Sequence, residues 1–272
     1  MKPAHAYLAV AAIIGGALAA PGRTLAQRMR HRSHDHLTQP LQNEGDGIDS
    51  EARMAATAVQ YSNNWAGVVR EKPPANGPYT AVTATFTVPT STAAAGSNGA
   101  QAGSVWVGID GDTYTGAILQ AGVDFYTDPS QTNHAWFEWY PAYATNFPNI
   151  DVNEGDTIIS TVRVTSPSEG VAIIENKSTG QKASQTVTAP APTATLAGQN
   201  AEWIVEDFQS GESMVELANF GEVKFSGAQA EAGGATFGLN GGEVVELQQN
   251  NKVLTKTEVT GDKEMTVKFV GA

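Results

Sequence analysis

The chain has 272 residues, of which 16 are lysine or arginine and 28 are aspartate or glutamate, so its formal net charge at pH 7 is -12. This acidic balance argues against nucleic acid as a partner, because phosphate binding needs clustered lysine and arginine. The sequence contains no cysteine, which excludes disulfide bonds, thiol nucleophiles and cysteine metal sites.

The first 19 residues have the pattern of a secretory signal peptide. Lys2 precedes an apolar stretch that begins at Tyr7, and Ala17, Leu18 and Ala19 form a small-residue cleavage signal. The apolar stretch is too short for a membrane span and polar sequence follows it. We therefore expect a secreted, extracellular protein that is not held in a membrane.

Residues 20–59 change character and show no strand-like alternation. Arginines alternate there with histidines, and four of the five histidines of the chain lie before residue 60. One interpretation is a disordered linker, and the favoured one is a basic propeptide, disordered or removed, that lies on an acidic catalytic domain and inhibits it. A histidine-rich tract can also hold a metal ion, which we consider the weakest of the three interpretations.

From residue 60 to residue 272, short strand-like runs recur with turn signals between them, which is typical of an all-β sandwich or barrel. Charged residues make up 16% of the chain, against roughly 25% in an ordinary domain. Strands are predicted over 79–88, 105–110, 117–124, 136–140, 157–165, 171–176, 185–188, 201–208, 215–220, 243–247 and 265–270, with a loop over 90–103.

Three of these strands have two unlike faces, because successive side chains of a strand point to opposite sides of its sheet. One face of the first two is plain core, with Val105, Val107, Ile109, Ala117, Leu119, Ala121 and Val123. The other carries Trp106, Asp110, Ile118, Gln120 and Asp124, and the third strand places Trp136, Glu138 and Tyr140 on one side. Polar groups among aromatic ones indicate a binding surface.

The run from Asn200 to Phe208 has the same feature. Its alternation places Glu202, Ile204, Glu206 and Phe208 on one side of a strand. Two carboxylates that flank a large apolar residue are unusual on a solvent face. A salt-bridged edge strand is the alternative, but lysine is scarce nearby.

The sequence lacks the residues that most hydrolytic mechanisms require. A Ser-His-Asp triad would have to use His134, and no G-x-S-x-G motif, HExxH motif or pair of Asp-Thr/Ser-Gly loops is present. Carboxylate and carboxamide chemistry remains. A glutamate can take a proton from water and return it to a leaving group, and a glutamine amide such as that of Gln120 can stabilise an oxyanion. Spacing alone does not pair Gln120 with Glu206.

Six ordered segments between about residue 60 and residue 220 resemble the glutamic peptidase (eqolisin) family. They are SNNWAG (62–67), WVGIDGD (106–112), AILQAGVDF (117–125), AWFEWYP (135–141), EGDTI (154–158) and NAEWIVEDF (200–208). The resemblance implies a concanavalin-A-like, jelly-roll sandwich of two antiparallel seven-stranded sheets. Where the family motif has a cysteine after GDT, this chain has Tyr114, and beyond residue 221 the resemblance is weak.

The resemblance also implies the site. Gln120 and Glu206 fall on the catalytic dyad of the family. Residues expected to line or support the cleft are Trp65, Trp106, Asp110, Asp124, Glu138, Tyr140 and Phe208. Asp110 and Asp124 are expected to support loops, and Glu138 either orients Gln120 or is a satisfied buried carboxylate.

The expected protein is a monomeric, pepstatin-insensitive acid endopeptidase that acts on polypeptides without a metal or cofactor. Two alternatives stay open. A glycoside hydrolase on this fold would use paired carboxylates such as Glu138 and Glu206, and a lectin-like module would use the aromatic residues only to bind. The peptidase interpretation requires the side chains of residues 120 and 206 to lie on one side of the same sheet.

Overall fold

The structure is a computed structural model that describes residues 36–43, 59–96 and 100–271. All regular elements of these residues are strands: β1 (His36–Leu37), β2 (Gln60–Ser62), β3 (Trp65–Arg70), β4 (Tyr79–Thr87), β5 (Gln101–Ile109), β6 (Ile118–Tyr126), β7 (His134–Tyr140), β8 (Thr145–Asn146), β9 (Thr157–Ser166), β10 (Glu169–Asn176), β11 (Gln181–Thr188), β12 (Ala201–Glu206), β13 (Gln209–Ser210), β14 (Ser213–Met214), β15 (Glu216–Leu217), β16 (Glu222–Ala232), β17 (Ala235–Phe237), β18 (Glu243–Gln249), β19 (Lys252–Val253), β20 (Thr255–Gly261) and β21 (Glu264–Phe269). Within these residues no helix is long and apolar enough to cross a membrane.

The strands form two large sheets that pack face to face, which is the predicted β-sandwich. The back sheet has eight strands in the order β11-β10-β9-β4-β16-β21-β20, with β17 paired to β16. The site sheet has ten strands in the order β19-β18-β3-β12-β5-β6-β7-β8, with β15 and β2 added at its side. Pairing in both is antiparallel, apart from the short β15–β5 and β2–β18 contacts. A third, small sheet contains β1, β13 and β14.

The core lies between the two large sheets and follows the alternation of their strands. In β4, Val82, Ala84 and Phe86 point inward, and the threonines between them are partly exposed. Burial of each large apolar side chain contributes about 1.5–3 kcal/mol. Hydrogen bonds also cross the interior, since the Trp203 indole donates to the carbonyl oxygen of Thr83 at 3.0 Å. Packing and hydrogen bonds thus replace the missing disulfides.

The observed strands differ from the predicted ones in informative places. The strand predicted over 215–220 is reduced to β15, and β5 begins inside the predicted loop 90–103. Among the strands of six residues or more, β3, β16 and β20 have no predicted counterpart. The sequence of β16, EVKFSGAQAEA, contains three alanines and a glycine, which have low strand propensity. It is a strand because it pairs with both β4 and β21. Extra short strands raise the sheets above the expected seven strands each.

Candidate active site

The predicted site residues come together on one face of the site sheet, the face turned away from the back sheet. Register places Gln120 of β6 directly opposite Glu138 of β7, and Glu206 of β12 directly opposite Trp65 of β3. Trp106 of β5 lies opposite Ile204, the next residue of β12 on this face. The side chains of residues 120 and 206 therefore lie on the same side of one sheet, as the peptidase interpretation requires.

Glu206 is held by donors from two sides. Its Oε2 atom accepts a hydrogen bond from the Trp106 indole at 2.9 Å and another from the Thr38 hydroxyl at 2.9 Å. Its Oε1 atom has no partner among the described residues. Burial raises the pKa of Glu206 well above its usual 4.5, against the lowering effect of the hydrogen bonds from Thr38 and Trp106. Glu206 is thus a carboxyl group whose protonation depends on how much water reaches it.

Gln120 and Glu138 form the other half of the site. Both side-chain atoms of the Gln120 amide, Oε1 and Nε2, are buried and make no hydrogen bond to a described residue. Glu138 accepts one hydrogen bond, from the backbone N–H of Thr38 at 3.2 Å. Burial raises the pKa of Glu138 well above 4.5, and the charge of Glu206 raises it further. An amide donor therefore lies beside two interacting carboxyl groups.

Indole rings form the floor of this site. The rings of Trp65 and Trp106 meet edge to face, with centroids 5.0 Å apart. Trp106 fits because two of its neighbours on this face are glycines, Gly122 across from it on β6 and Gly108 two residues along β5. A Cβ atom on Gly122 would lie 2.4 Å from the Cβ of Trp106, and one on Gly108 would lie 2.8 Å from its ring. The apolar cluster on this face also contains Ile118, Trp136, Ile204 and, at its margin, Tyr140.

Asp110 lies apart from the catalytic pair. Its backbone has a φ of 68°, and its carboxylate accepts hydrogen bonds from the backbone N–H groups of residues 197, 198, 199 and 200. Those residues directly precede β12. Asp110 therefore fixes the entry of the strand that carries Glu206, and does not face the cleft.

Asp124 and Phe208 lie together at the other end of the face. The Asp124 carboxylate accepts hydrogen bonds from the hydroxyl groups of Ser104 and Tyr126. The ring of Phe208 stacks on the imidazole of His36, whose Nδ1 atom lies 3.2 Å from Asp124 Oδ2. Asp124 thus both holds two neighbouring hydroxyl groups and contacts a side chain that lies in the cleft.

Residues His36–Asn43, here called the inserted segment, lie across the site. Its first two residues form β1 and pair with β13, and Thr38 contacts both Glu206 and Glu138. Gln120 and Glu206 are each 0% exposed. Because the groups that cover them include this stretch of peptide, their burial shows that a polypeptide backbone fits into the cleft.

Asn64 binds the second half of the inserted segment. Its side-chain Nδ2 donates to the carbonyl oxygens of Gln39 and Pro40, and its Oδ1 accepts from the N–H of Gln42. The carbonyl of Gly111 accepts from the N–H of Leu41 at 2.9 Å. These hydrogen bonds are made with backbone groups of the inserted segment and not with its side chains. Sequence reasoning missed the roles of Thr38 and Asn64, although Asn64 stands in the SNNWAG segment.

Two further buried carboxyl groups accompany Glu206. Glu202, on the same face of β12, accepts no hydrogen bond from the described residues on either oxygen. Burial raises its pKa well above 4.5, and Asp110 and Asp112 raise it further. Burial raises the pKa of Asp207 to about 8, and Gln249 donates to it. In residues 36–43, 59–96 and 100–271 no three histidine, aspartate or glutamate side chains are arranged to hold a metal ion. The predicted signal peptide and the rest of the predicted propeptide lie outside these residues.

Comparison with known proteins gives the class of this protein, which is that of the β-sandwich glutamic endopeptidases. The chain belongs to the peptidase A4 family, whose model matches residues 63–269. The match therefore extends well beyond residue 221, so the expectation of a weak likeness there is wrong. This membership does not favour a glycoside hydrolase or a lectin-like module.

Two characterised relatives and one solved structure show how close the likeness is. The chain is similar to aspergillopepsin-2 of Aspergillus niger, with 45% identity over 231 residues that cover 79% of this chain and 80% of the relative. It is 36% identical to scytalidopepsin B of Scytalidium lignicola over 216 residues, 77% of this chain and 79% of the relative. A crystal structure of scytalido-glutamic peptidase with a transition state analog inhibitor superposes with a TM-score of 0.69 at 33% identity, covering 76% of this chain and 98% of that one.

Proposed function

We propose that this endopeptidase cuts polypeptides in acid solution with Glu206 and Gln120 as its catalytic dyad. Ionised Glu206 takes a proton from a water molecule, which attacks the carbonyl carbon of the scissile peptide bond. The Gln120 amide donates a hydrogen bond to the oxyanion that forms, and Glu206 then gives its proton to the leaving amine. The step needs no covalent intermediate, because water is the nucleophile.

The observation that carries this proposal is the shared face of the two side chains. Glu206 Oε1 and both polar atoms of the Gln120 amide are buried and make no hydrogen bond to the described residues, and the amide is close enough to Glu138 to lower its pKa. Buried polar groups without a partner are costly, and a water or a substrate carbonyl in the cleft would satisfy them. Because an amide does not titrate, it can stabilise an oxyanion at a pH where a histidine would be charged.

The pKa of Glu206 fits this role once the inserted segment leaves. Burial is the main cause of its raised pKa, and the segment contributes to that burial. Water that enters the open cleft removes part of this effect, and the Trp106 hydrogen bond then favours the ionised form. Glu206 would then be ionised in mildly acidic solution and act as a base there.

Residues 20–59 act in this proposal as an inhibitory propeptide, and the inserted segment is the part that blocks the site. The Thr38 hydroxyl donates a hydrogen bond to Glu206 Oε2, and the Thr38 N–H donates one to Glu138 Oε2. A substrate cannot reach the dyad while these contacts exist. Protonation of Glu206 does not itself release the segment, because a pKa raised under the segment means that acid favours the covered state. Release in acid comes in this proposal from the arginines and histidines of residues 20–36, whose attraction to the acidic domain falls as other carboxylates are protonated.

The remaining parts of the proposal concern the cellular setting. Residues 1–19 have the pattern of a signal peptide, which supports an extracellular protein. Its partners are polypeptide substrates and its own propeptide, and we propose that it acts as a monomer.

The test is proteolysis by the full-length, acid-treated protein. Denatured casein is incubated at about pH 4 with pepstatin present, and the new amino termini are quantified. We expect cleavage by the wild type and none by Gln120→Ala or Glu206→Ala, with both variants folded. Full activity in either variant would exclude the dyad.

A further inference from the structure

Tyr114 joins two loops at one end of the site sheet. Its hydroxyl donates a hydrogen bond to the carbonyl oxygen of Thr195 at 2.7 Å, and its backbone N–H donates to the side-chain oxygen of Asn200 at 3.2 Å. Its ring lies over Gly116, where a Cβ atom would lie 2.9 Å from the hydroxyl oxygen. The side chain of Tyr114 thus connects the turn that follows β5 with the segment that precedes β12.

The backbone of Tyr114 holds Gly111. The carbonyl oxygen of Tyr114 accepts a hydrogen bond from the N–H of Gly111 at 2.7 Å, which closes the turn over residues 111–114. The φ of Gly111 is 127°, a conformation that residues with a side chain rarely adopt. A Cβ atom there would lie 2.8 Å from the ring of Trp65 and from the side chain of Ile118. The backbone of Gly111 therefore lies directly against the floor of the site.

The carbonyl of Gly111 binds the peptide that lies in the cleft. Its oxygen accepts a hydrogen bond from the N–H of Leu41 at 2.9 Å. Leu41 lies three residues after Thr38, which contacts Glu206. A peptide that follows this path presents a backbone N–H to Gly111 whatever its side chain is. A shift of the turn would weaken this hydrogen bond, because its strength depends on distance and angle.

The entry of β12 has its own support, which does not need the Tyr114 hydroxyl. The Asp110 carboxylate accepts hydrogen bonds from the backbone N–H groups of residues 197–200. The Asn200 amide donates to the carbonyl oxygen of Glu71 at 2.9 Å. These contacts remain when only the phenol hydroxyl is removed, so Glu206 should keep its place in such a variant.

We propose that Tyr114 is a positioning residue for substrate binding. Its hydroxyl anchors the turn over residues 111–114 to Thr195, and the turn holds the Gly111 carbonyl where it binds the peptide backbone three residues beyond the one that contacts Glu206. The proposal rests on the proposed peptidase function and adds a binding group to that site. It also gives a chain without cysteine a way to fix this turn.

A double-mutant cycle tests the link between the hydroxyl and the carbonyl. The protein variant is Tyr114→Phe, which removes the hydroxyl and keeps the ring. The probe is a synthetic peptide of residues 36–43, compared with the same peptide in which an ester replaces the amide between Pro40 and Leu41 and so removes the N–H of Leu41. Both peptides are measured as inhibitors of casein cleavage by the acid-treated full-length protein at about pH 4, with pepstatin present.

In the wild type, the ester should inhibit roughly fivefold more weakly than the amide, because one hydrogen bond is lost. In Tyr114→Phe this difference should be smaller by roughly threefold or more. The ester also weakens the Pro40 carbonyl as an acceptor for Asn64, but that loss is the same in both proteins and cancels in the cycle. The matched control Tyr143→Phe, which removes a phenol hydroxyl from an exposed side chain, should keep the wild-type difference.

Substrate kinetics give a second readout. For a casein-derived peptide, the KM of Tyr114→Phe should rise about threefold while kcat stays within about twofold of the wild type, because the change affects binding and not the catalytic pair. A fall in kcat with an unchanged KM would overturn the proposal.

The cycle separates this role from a general effect on the fold. An equal ester effect in the wild type and in Tyr114→Phe overturns the proposal, because a merely structural hydroxyl would weaken both peptides alike. Equal potency of the two peptides on the wild type, or inhibition by neither, overturns it without any variant. Failure of Tyr114→Phe to fold also overturns it, since the hydroxyl would then support the whole domain and not one turn. Absence of casein cleavage by the wild type instead contradicts the proposed function, and with it the site to which Tyr114 would contribute.

Discussion

The contact between Thr38 and Glu206 gives the sharpest prediction about control of the site. The substitution Thr38→Val removes the hydroxyl that donates to Glu206 Oε2 at 2.9 Å and keeps the shape of the side chain. It also keeps the backbone N–H that donates to Glu138. The change thus removes one hydrogen bond of the inserted segment and leaves its neighbours in place.

The magnitude follows from the protonation of Glu206. A hydrogen bond to a neutral carboxyl contributes about 1 kcal/mol, and one to an ionised carboxylate about 1.5–3 kcal/mol. The affinity of the segment for the cleft should therefore fall by about fivefold to a hundredfold. Its release in acid should begin at a higher pH than in the wild type.

The assay follows activation of the full-length precursor. Precursor is held at a series of pH values, and cleavage of a fluorescent casein is recorded to find the midpoint of activation. The matched control is Thr38→Ser, which keeps the hydroxyl and should behave like the wild type. An unchanged midpoint in Thr38→Val would refute the idea that this hydroxyl holds the segment on the catalytic carboxyl.

Three further predictions follow from the site. Asn64→Ala removes the three hydrogen bonds that Asn64 makes with the backbone of the inserted segment. A substrate that follows the same path loses them too, so KM should rise about tenfold or more with a smaller change in kcat, and steady-state kinetics checks this. Trp106→Phe removes a donor that lowers the pKa of Glu206, so the acid limb of the kcat/KM profile should move to higher pH, and an unmoved limb would contradict this contact. Glu202 and Asp207 have raised pKa values in the folded protein. Their stability contribution is therefore present below their unfolded pKa values and lost as the pH rises, by up to about 1.4 kcal/mol per pH unit for each group. Glu202→Gln should accordingly lose less stability than the wild type between acid and neutral pH, as thermal unfolding at both pH values would show.

The sidedness of the site could be predicted because strand geometry alone fixes it. Alternation in β6 places Gln120 opposite in direction to Leu119, whatever the strand pairs with. The pairing of Gln120 with Glu206 could not be predicted in the same way. It depends on β12 lying between β3 and β5, strands that are far from it along the chain. Only the resemblance to a family supplied that information.

The inserted segment left no usable signal in the sequence. Thr38 stands among residues without strand alternation, and nothing in its type marks it as a partner for a carboxyl group. Its position follows from pairing with β13, a two-residue strand that was itself not predicted. The role of Asp110 was expected as support, but its four backbone donors depend on the turn it makes at a φ of 68°.

The buried carboxyl groups show a second limit of sequence reasoning. Glu202 and Glu206 are both glutamates on the same face of one strand, so alternation alone does not tell which of them is the catalytic carboxyl group. The structure separates them by their neighbours, since Glu206 has hydrogen-bond donors and an amide on the same sheet face, and Glu202 has no donor within the part of the chain that the structure describes. Chemistry at this face therefore depends on partners that only the assembled sheet provides.

This difference provides the most direct measurement of the central claim, that Glu206 and not another buried carboxyl activates water. The kcat/KM for casein-derived peptides is compared between Glu206→Gln and Glu202→Gln at about pH 4, with pepstatin present and both proteins shown to be folded. We predict a loss of about a thousandfold or more in Glu206→Gln, the size expected when a general base is removed, and wild-type activity within about threefold in Glu202→Gln. Comparable activity of the two variants would contradict the account.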